Sequence, residues 1–251
     1  MTTVQLRTLL LAAALAAGAA ACGDDAPHAD ALVIDPGDGG DYRPSIDPAD
    51  FVATVDHRYL PFRPGARWEY EADTDEGPER TVVEVTARRR TVLGIATTVV
   101  RDTVTDGSGR LVEDTFDYYA QDRAGNVWYF GEAVRNFARG RFENTDGSWE
   151  AGVDGARPGV VMPARPRVGH AYRQEYWIGE AEDLGEIRRL GAHTTVPAGT
   201  YDDVVVTRDW NPLEPDVIEE KYYAPGVGLV RERKVAGGRD RTVLVSYRLG
   251  P

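Results

Sequence analysis

Carboxylates are the reactive groups this chain holds in quantity. Asp102, Asp106, Glu113, Asp114 and Asp117 crowd one stretch, and Asp202, Asp203, Asp209, Glu214, Asp216, Glu219 and Glu220 another. Paired carboxylates perform acid–base chemistry or hold Ca²⁺ through oxygen. No EF-hand spacing occurs, so the reading is a solvated acidic face, with Glu180, Glu182 and Asp183 as the calcium candidates. His28, His57, His170 and His193 include no i, i+4 pair suited to zinc, and no G-x-S-x-G elbow is present. A hydrolase would need two carboxylates facing each other in a cleft, one with a raised pKa. The expectation is therefore a protein that is not an enzyme, with no catalytic residue and no cofactor.

The remaining reactive side chain is Cys22, the single cysteine. Before it come Arg7, the apolar run Leu9–Ala17 and the small residues Gly18–Ala21. A basic start, a short apolar segment and a small-residue cleavage site make an export signal over residues 1–21. The apolar run is shorter than the ~20 residues a membrane span needs. Cys22 and the residues before it resemble the lipobox of bacterial lipoproteins, although Ala19 stands where Leu is usual. The resemblance implies that Cys22 becomes the lipidated N-terminus and that the protein sits in the cell envelope, anchored to a membrane. Plain secretion with a free thiol is the alternative.

Residues 22–50 read as a flexible tether. Eight Asp face one Arg among Pro and Gly, too little apolar surface to offset the entropy of ordering. The net charge of −12 argues against nucleic acid, whose phosphates need basic patches.

The body, residues 51–251, reads as strands. Thr81–Thr86, Thr97–Val100, Val204–Thr207 and Thr242–Tyr247 are rich in β-branched residues and bounded by turn formers. Asp106-Gly107-Ser108-Gly109 and Gly237-Gly238 fit hairpin turns, and 179–184 hints at a helical turn. An internal repeat is visible over about 60–140 and 165–248. Gly65-Ala66-Arg67-Trp68 matches Gly169-His170-Ala171-Tyr172, Val99–Asp102 matches Val206–Asp209, and Tyr118-Tyr119 matches Tyr222-Tyr223. Chance likeness between two β-rich stretches is the alternative. The fold expected is all-β: a curved antiparallel sheet or barrel built from two related β-meanders. Between the copies, Gly147–Ala156 and the link Pro158–Pro166 read as a connection, with Trp149 either packed back on the sheet or on a binding loop.

Tyr59–Tyr70, Tyr119–Glu132, Thr195–Val204 and Lys221–Val230 together resemble a broad group of bacterial secreted proteins and lipoproteins. That resemblance implies an antiparallel β fold near the curved sheets of LolA-like lipoprotein carriers, and it implies no catalytic residue. The function expected is a non-enzymatic lipoprotein binding a hydrophobic or amphiphilic molecule, with Trp128, Trp149 and Tyr172 as the candidate ligand-stacking residues. The alternative is a scaffold that docks another envelope protein.

Overall fold

A computed structural model describes residues 42–251. Cys22 and the proposed signal lie outside them. After a single 3-10 turn, Pro48–Asp50, every regular element among the described residues is a strand. A short β1 (Phe51–Val52) precedes a meander of β2 (Arg67–Thr74), β3 (Gly77–Val92), β4 (Ile95–Asp106), β5 (Leu111–Asp122) and β6 (Val127–Ala133). Three small strands follow, β7 (Asn136–Ala138), β8 (Arg141–Asn144) and β9 (Trp149–Glu150), and then β10 (Arg157–Met162), β11 (Ala171–Arg173) and β12 (Glu175–Tyr176). A second meander comprises β13 (Leu184–Val196), β14 (Gly199–Trp210), β15 (Ile218–Ala224), β16 (Gly228–Ala236) and β17 (Arg241–Arg248).

All strand pairings among the described residues are antiparallel, and the two meanders join along two seams. On one side β17 pairs with β2, Arg248 opposite Arg67 and Arg241 opposite Asp73. On the other, β6 pairs with β10, β10 with β12, and β11 with β13. The sheet thus rolls into a nearly closed barrel, which leaves few strand edges unpaired. The seam strand β10 corrects the reading of Pro158–Pro166 as a plain link. Its Pro158 needs no donor of its own, and its carbonyl accepts from the Tyr42 hydroxyl at 2.8 Å.

Each meander opens on the same backbone device. Gly65 N–H donates to Val85 O at 2.8 Å and Val85 N–H returns to Ala66 O at 2.9 Å; Gly169 N–H donates to Ile187 O at 2.8 Å and Ile187 N–H returns to His170 O at 2.9 Å. Gly65 and Gly169 hold φ of 88° and 83°, a region that disfavours any residue with a Cβ. Each meander also curls a long hairpin tip over neighbouring strands. In the first, Arg89 donates to Ala53 O and Arg90 pairs with Glu150. In the second, Ala198 N–H donates to Leu244 O and Arg231 to Thr195 O.

Curling gives the strands two buried faces. Val204, Val205 and Val206 follow one another on β14 and all are fully buried, so both faces of that strand are covered. Trp128 and Phe130 lie under Phe51, at ring distances of 6.2 and 5.4 Å.

Two expectations are corrected here. Residues 179–184 form no helix: Trp177 and Ala181 make an isolated bridge, and β13 begins at Leu184. The end of the tether is docked rather than free. Tyr42 sets its ring against Tyr176 at 5.5 Å, and Arg123 binds the carbonyls of Ala49 and Asp50. An aromatic contact and these hydrogen bonds offset the ordering cost that composition alone weighed.

Candidate functional site

Side chains alternate across a strand, so each strand sends every second residue inward. From β2 come Trp68 and Tyr70, from β3 Thr81 and Val83, from β4 Val100, Asp102 and Val104, and from β5 Asp117 and Tyr119. From the second meander come Lys221 and Tyr223 on β15 and Leu229 and Glu232 on β16. Together with Leu60, Phe62 and Gln174 they line an interior cavity of about 360 Å³, within the range of small-molecule sites, roughly 300–1,000 Å³.

One wall is aromatic. Trp68 meets Phe62 at 6.0 Å, Phe62 meets Tyr119 at 4.9 Å, Tyr119 stacks on Tyr129 at 4.8 Å, and Tyr129 meets Trp149 edge-on at 5.3 Å. These rings are fixed at their polar ends. Trp68 Nε1 donates to Val227 O at 2.7 Å, Tyr70 Oη to Leu229 O at 2.9 Å, and Tyr129 Oη to Asp117 Oδ1 at 2.7 Å. Buried aromatic donors so satisfied hold one rotamer, which makes the wall rigid.

The other wall is acidic. Asp102, Asp117 and Glu232 line the cavity. A second hollow of about 270 Å³ adjoins it, lined by Asp183, Asp209, Glu214 and Glu219. Gln174 and Lys221 line both. Gln174 Nε2 donates to Asp209 Oδ2 at 2.9 Å, and Lys221 Nζ stands 3.2 Å from the same oxygen. These three side chains form a polar partition between cavity and vestibule. Lys221 also stands 3.9 Å from Glu232 and 4.0 Å from Glu219. Burial pulls its ammonium down, and the charges of Asp209 and Glu232 more than offset that, so it remains a cation.

Burial pushes the acids the other way. Asp102 is held well above the carboxylate range, by burial and then by the charge of Asp117. Burial lifts Asp117 to about 7 against the pull of the Tyr129 hydroxyl, and lifts Glu132 to about 8 with the help of Asp117. A carboxyl that ionises near 3.8 in the unfolded chain and near 7 in the barrel contributes stability that is complete below the first value and lost as pH rises through the second. Chemical denaturation should therefore show stability falling from about pH 4 to about pH 7, and Asp117→Asn should flatten that slope. An unchanged slope in the variant would contradict the assignment.

The acidic-face reading thus fails for Asp102, Asp117 and Asp209, which the barrel turns inward. The stacking candidates separate. Trp128 lies on the opposite face of β6 from the cavity and donates to Asp122 Oδ2 at 2.8 Å, so it is packing under Phe51. Trp149 is 5% exposed and extends the aromatic wall. Tyr172 is 1% exposed and its hydroxyl has no hydrogen-bond partner. The calcium candidates point apart. Glu180 faces solvent, Glu182 accepts from Gly179 N–H and lies 3.9 Å from Arg173, and Asp183 lines the vestibule. Among the described residues no group of carboxylates or imidazoles converges as a metal site.

No family model and no curated protein matches this chain. Two solved structures are similar to it. One is a protein assigned as exported, with a YmcC-like fold, from Bacteroides fragilis, at TM-score 0.42 and 14% identity. The other is assigned as a lipoprotein, from Parabacteroides distasonis, at TM-score 0.44 and 15% identity. Each comparison covers 76% of this chain and 99% of the other. Neither likeness assigns a role to a residue.

A larger concavity, about 510 Å³, lies over the β2–β3 and β4–β5 tips and is lined by Glu71, Asp73, Arg80, Asp106 and Arg241. These are mostly solvated charges, and none of the buried unpartnered groups lines it. The interior cavity is the better candidate site.

Sequence reasoning missed Lys221, Glu232, Tyr119 and Tyr223 as site residues. The signal was present in Glu219, Lys221 and Tyr223, which share one face of β15 by their spacing of two.

Proposed function

We propose that this chain is a lipid-anchored envelope lipoprotein whose barrel interior binds an amphiphilic small molecule. The observation that carries the reading is the cavity itself, with a rigid aromatic wall facing acidic side chains. An amphiphile matches such a pair of walls, burying apolar surface on one and meeting charge on the other. An aromatic wall within a curved sheet would shield apolar surface of such a molecule from water. Lipid on Cys22 and a tether would hold the barrel near a bilayer, where amphiphiles are found.

Two measurements test the two halves. Cys22→Ala should move the protein from the membrane to the soluble fraction; a variant that stays with membranes removes the anchor. Native mass spectrometry of protein from envelope extracts should show a mass above the denatured mass of the same lipidated protein. That adduct should be lost in Val83→Trp, which fills the cavity. Only the bare mass, under gentle conditions and from several preparations, would remove the ligand.

A further inference from the structure

The interior is unbalanced in charge. Asp102, Asp117 and Glu232 line the cavity, and Asp183, Asp209, Glu214 and Glu219 the vestibule, while Lys221 is the only cation lining either. Buried charge is tolerated when paired or neutralised. Burial holds Asp102, Asp117 and Glu232 toward their protonated forms, and the one ammonium nearby is drawn to Asp209, at the partition, so a cationic guest is what would let the cavity carboxyls ionise.

Three polar atoms of this region are buried without a hydrogen-bond partner. Asp102 Oδ1 is sealed from solvent without a hydrogen bond, on the cavity wall. Asp209, 6% exposed, has Oδ1 without a partner while its Oδ2 serves Gln174 and Lys221. The Tyr172 hydroxyl, buried and unpartnered, lies within the electrostatic reach of Asp209, Tyr223 and Lys221. Native interiors leave few such groups unsatisfied. Most of these atoms accept hydrogen bonds, so the group that completes them is a donor, and the surrounding charge selects a positive one. An organic ammonium meets both requirements, since it carries a positive charge and N–H donors together. Its apolar part has the wall of Trp68, Phe62 and Tyr119 to lie on, and aromatic faces attract cations as well.

Building on the amphiphile reading above, we infer that the ligand class is an alkylammonium amphiphile. Its ammonium pairs with Asp102 and Asp117, its alkyl chain lies along the Trp68–Phe62–Tyr119 wall, and Lys221 closes the vestibule end. Lys221 also sets the polarity of insertion, since it repels an ammonium approaching from that end.

The test uses the full chain carrying Cys22→Ala and three probes of equal length: decylammonium, decanol and decanoate. Binding is followed near pH 8 by calorimetry and by tryptophan fluorescence. Decylammonium should bind at least about tenfold more tightly than decanol, the scale of one charge-assisted hydrogen bond, and decanoate should bind most weakly. Asp102→Asn should erase most of that preference while leaving decanol unchanged. Val83→Trp should abolish binding of all three. Equal affinity for the three probes, or a preference for decanoate, overturns the ammonium assignment and leaves the cavity reading standing. No binding of any probe overturns both. Decylammonium binding that survives Val83→Trp places the cation on the outer acidic surface and overturns the assignment as well.

Discussion

Gly159→Ala should unfold the barrel at a temperature lower by roughly 6–12 °C, the equivalent of about 3 kcal/mol or more. Gly159 lies on β10, opposite Tyr129 of β6, at the seam that joins the two meanders. A methyl group there would stand 2.3 Å from the backbone carbon of Gln174, 2.4 Å from its oxygen and 2.5 Å from the oxygen of Arg173. Those atoms are backbone, so no rotamer change relieves the contact, and β10 must part from the chain on its far side. Gly169→Ala provides the comparison. Its site is open, with nothing within 4 Å, and only its φ of 83° is unfavourable. A left-handed conformation costs about 1–2 kcal/mol, so thermal unfolding should separate the two variants clearly. Equal losses would show that the seam is not tight.

Lys221→Met should be the most pH-dependent of the single substitutions. It removes the cation beside Asp209, Glu219 and Glu232 and leaves those carboxylates facing one another. Breaking a buried pair from one side costs about 3–5 kcal/mol; with the Lys221 side chain 22% exposed, about 3 kcal/mol near pH 8 is the expected loss. Without the cation, Glu232, already held above its ordinary range by burial, rises further. A raised folded-state pKa gives stability at low pH that disappears as pH rises. The gap between wild type and variant in denaturant midpoint should be widest near pH 8 and narrow toward pH 5. A gap that does not change with pH would mean that lost packing, rather than charge, sets the cost.

Much of the framework is legible in the sequence, because strands and turns are local. Thr81–Thr86, Val204–Thr207 and Thr242–Tyr247 lie in β3, β14 and β17, and the turns at Asp106–Gly109 and Gly237-Gly238 join β4 to β5 and β16 to β17 as their glycines require. The site is less legible. Alternation divides Trp128 from Tyr129, and Glu220 from Lys221, but it does not say which of two faces meets solvent. In an open sheet the polar face is the wet one. Here the curled hairpins bury the outer face too, so an aspartate such as Asp102 or Asp117 is enclosed although its neighbours along the strand read as surface. The role of Pro158–Met162 as a seam strand was hidden for another reason: a strand containing proline reads as a link until its partners, β6 and β12, are known.

The pairing of β17 with β2 also governs how the molecule is made. During synthesis β2 is among the first long strands to emerge, and its outer partner arrives roughly 170 residues later, a separation that slows folding. Until then β2 offers an open row of N–H and C=O groups to any passing strand. A nascent or prematurely terminated chain lacking Arg241–Arg248 is thus a template for self-association, and arrival of the C-terminus ends that exposure.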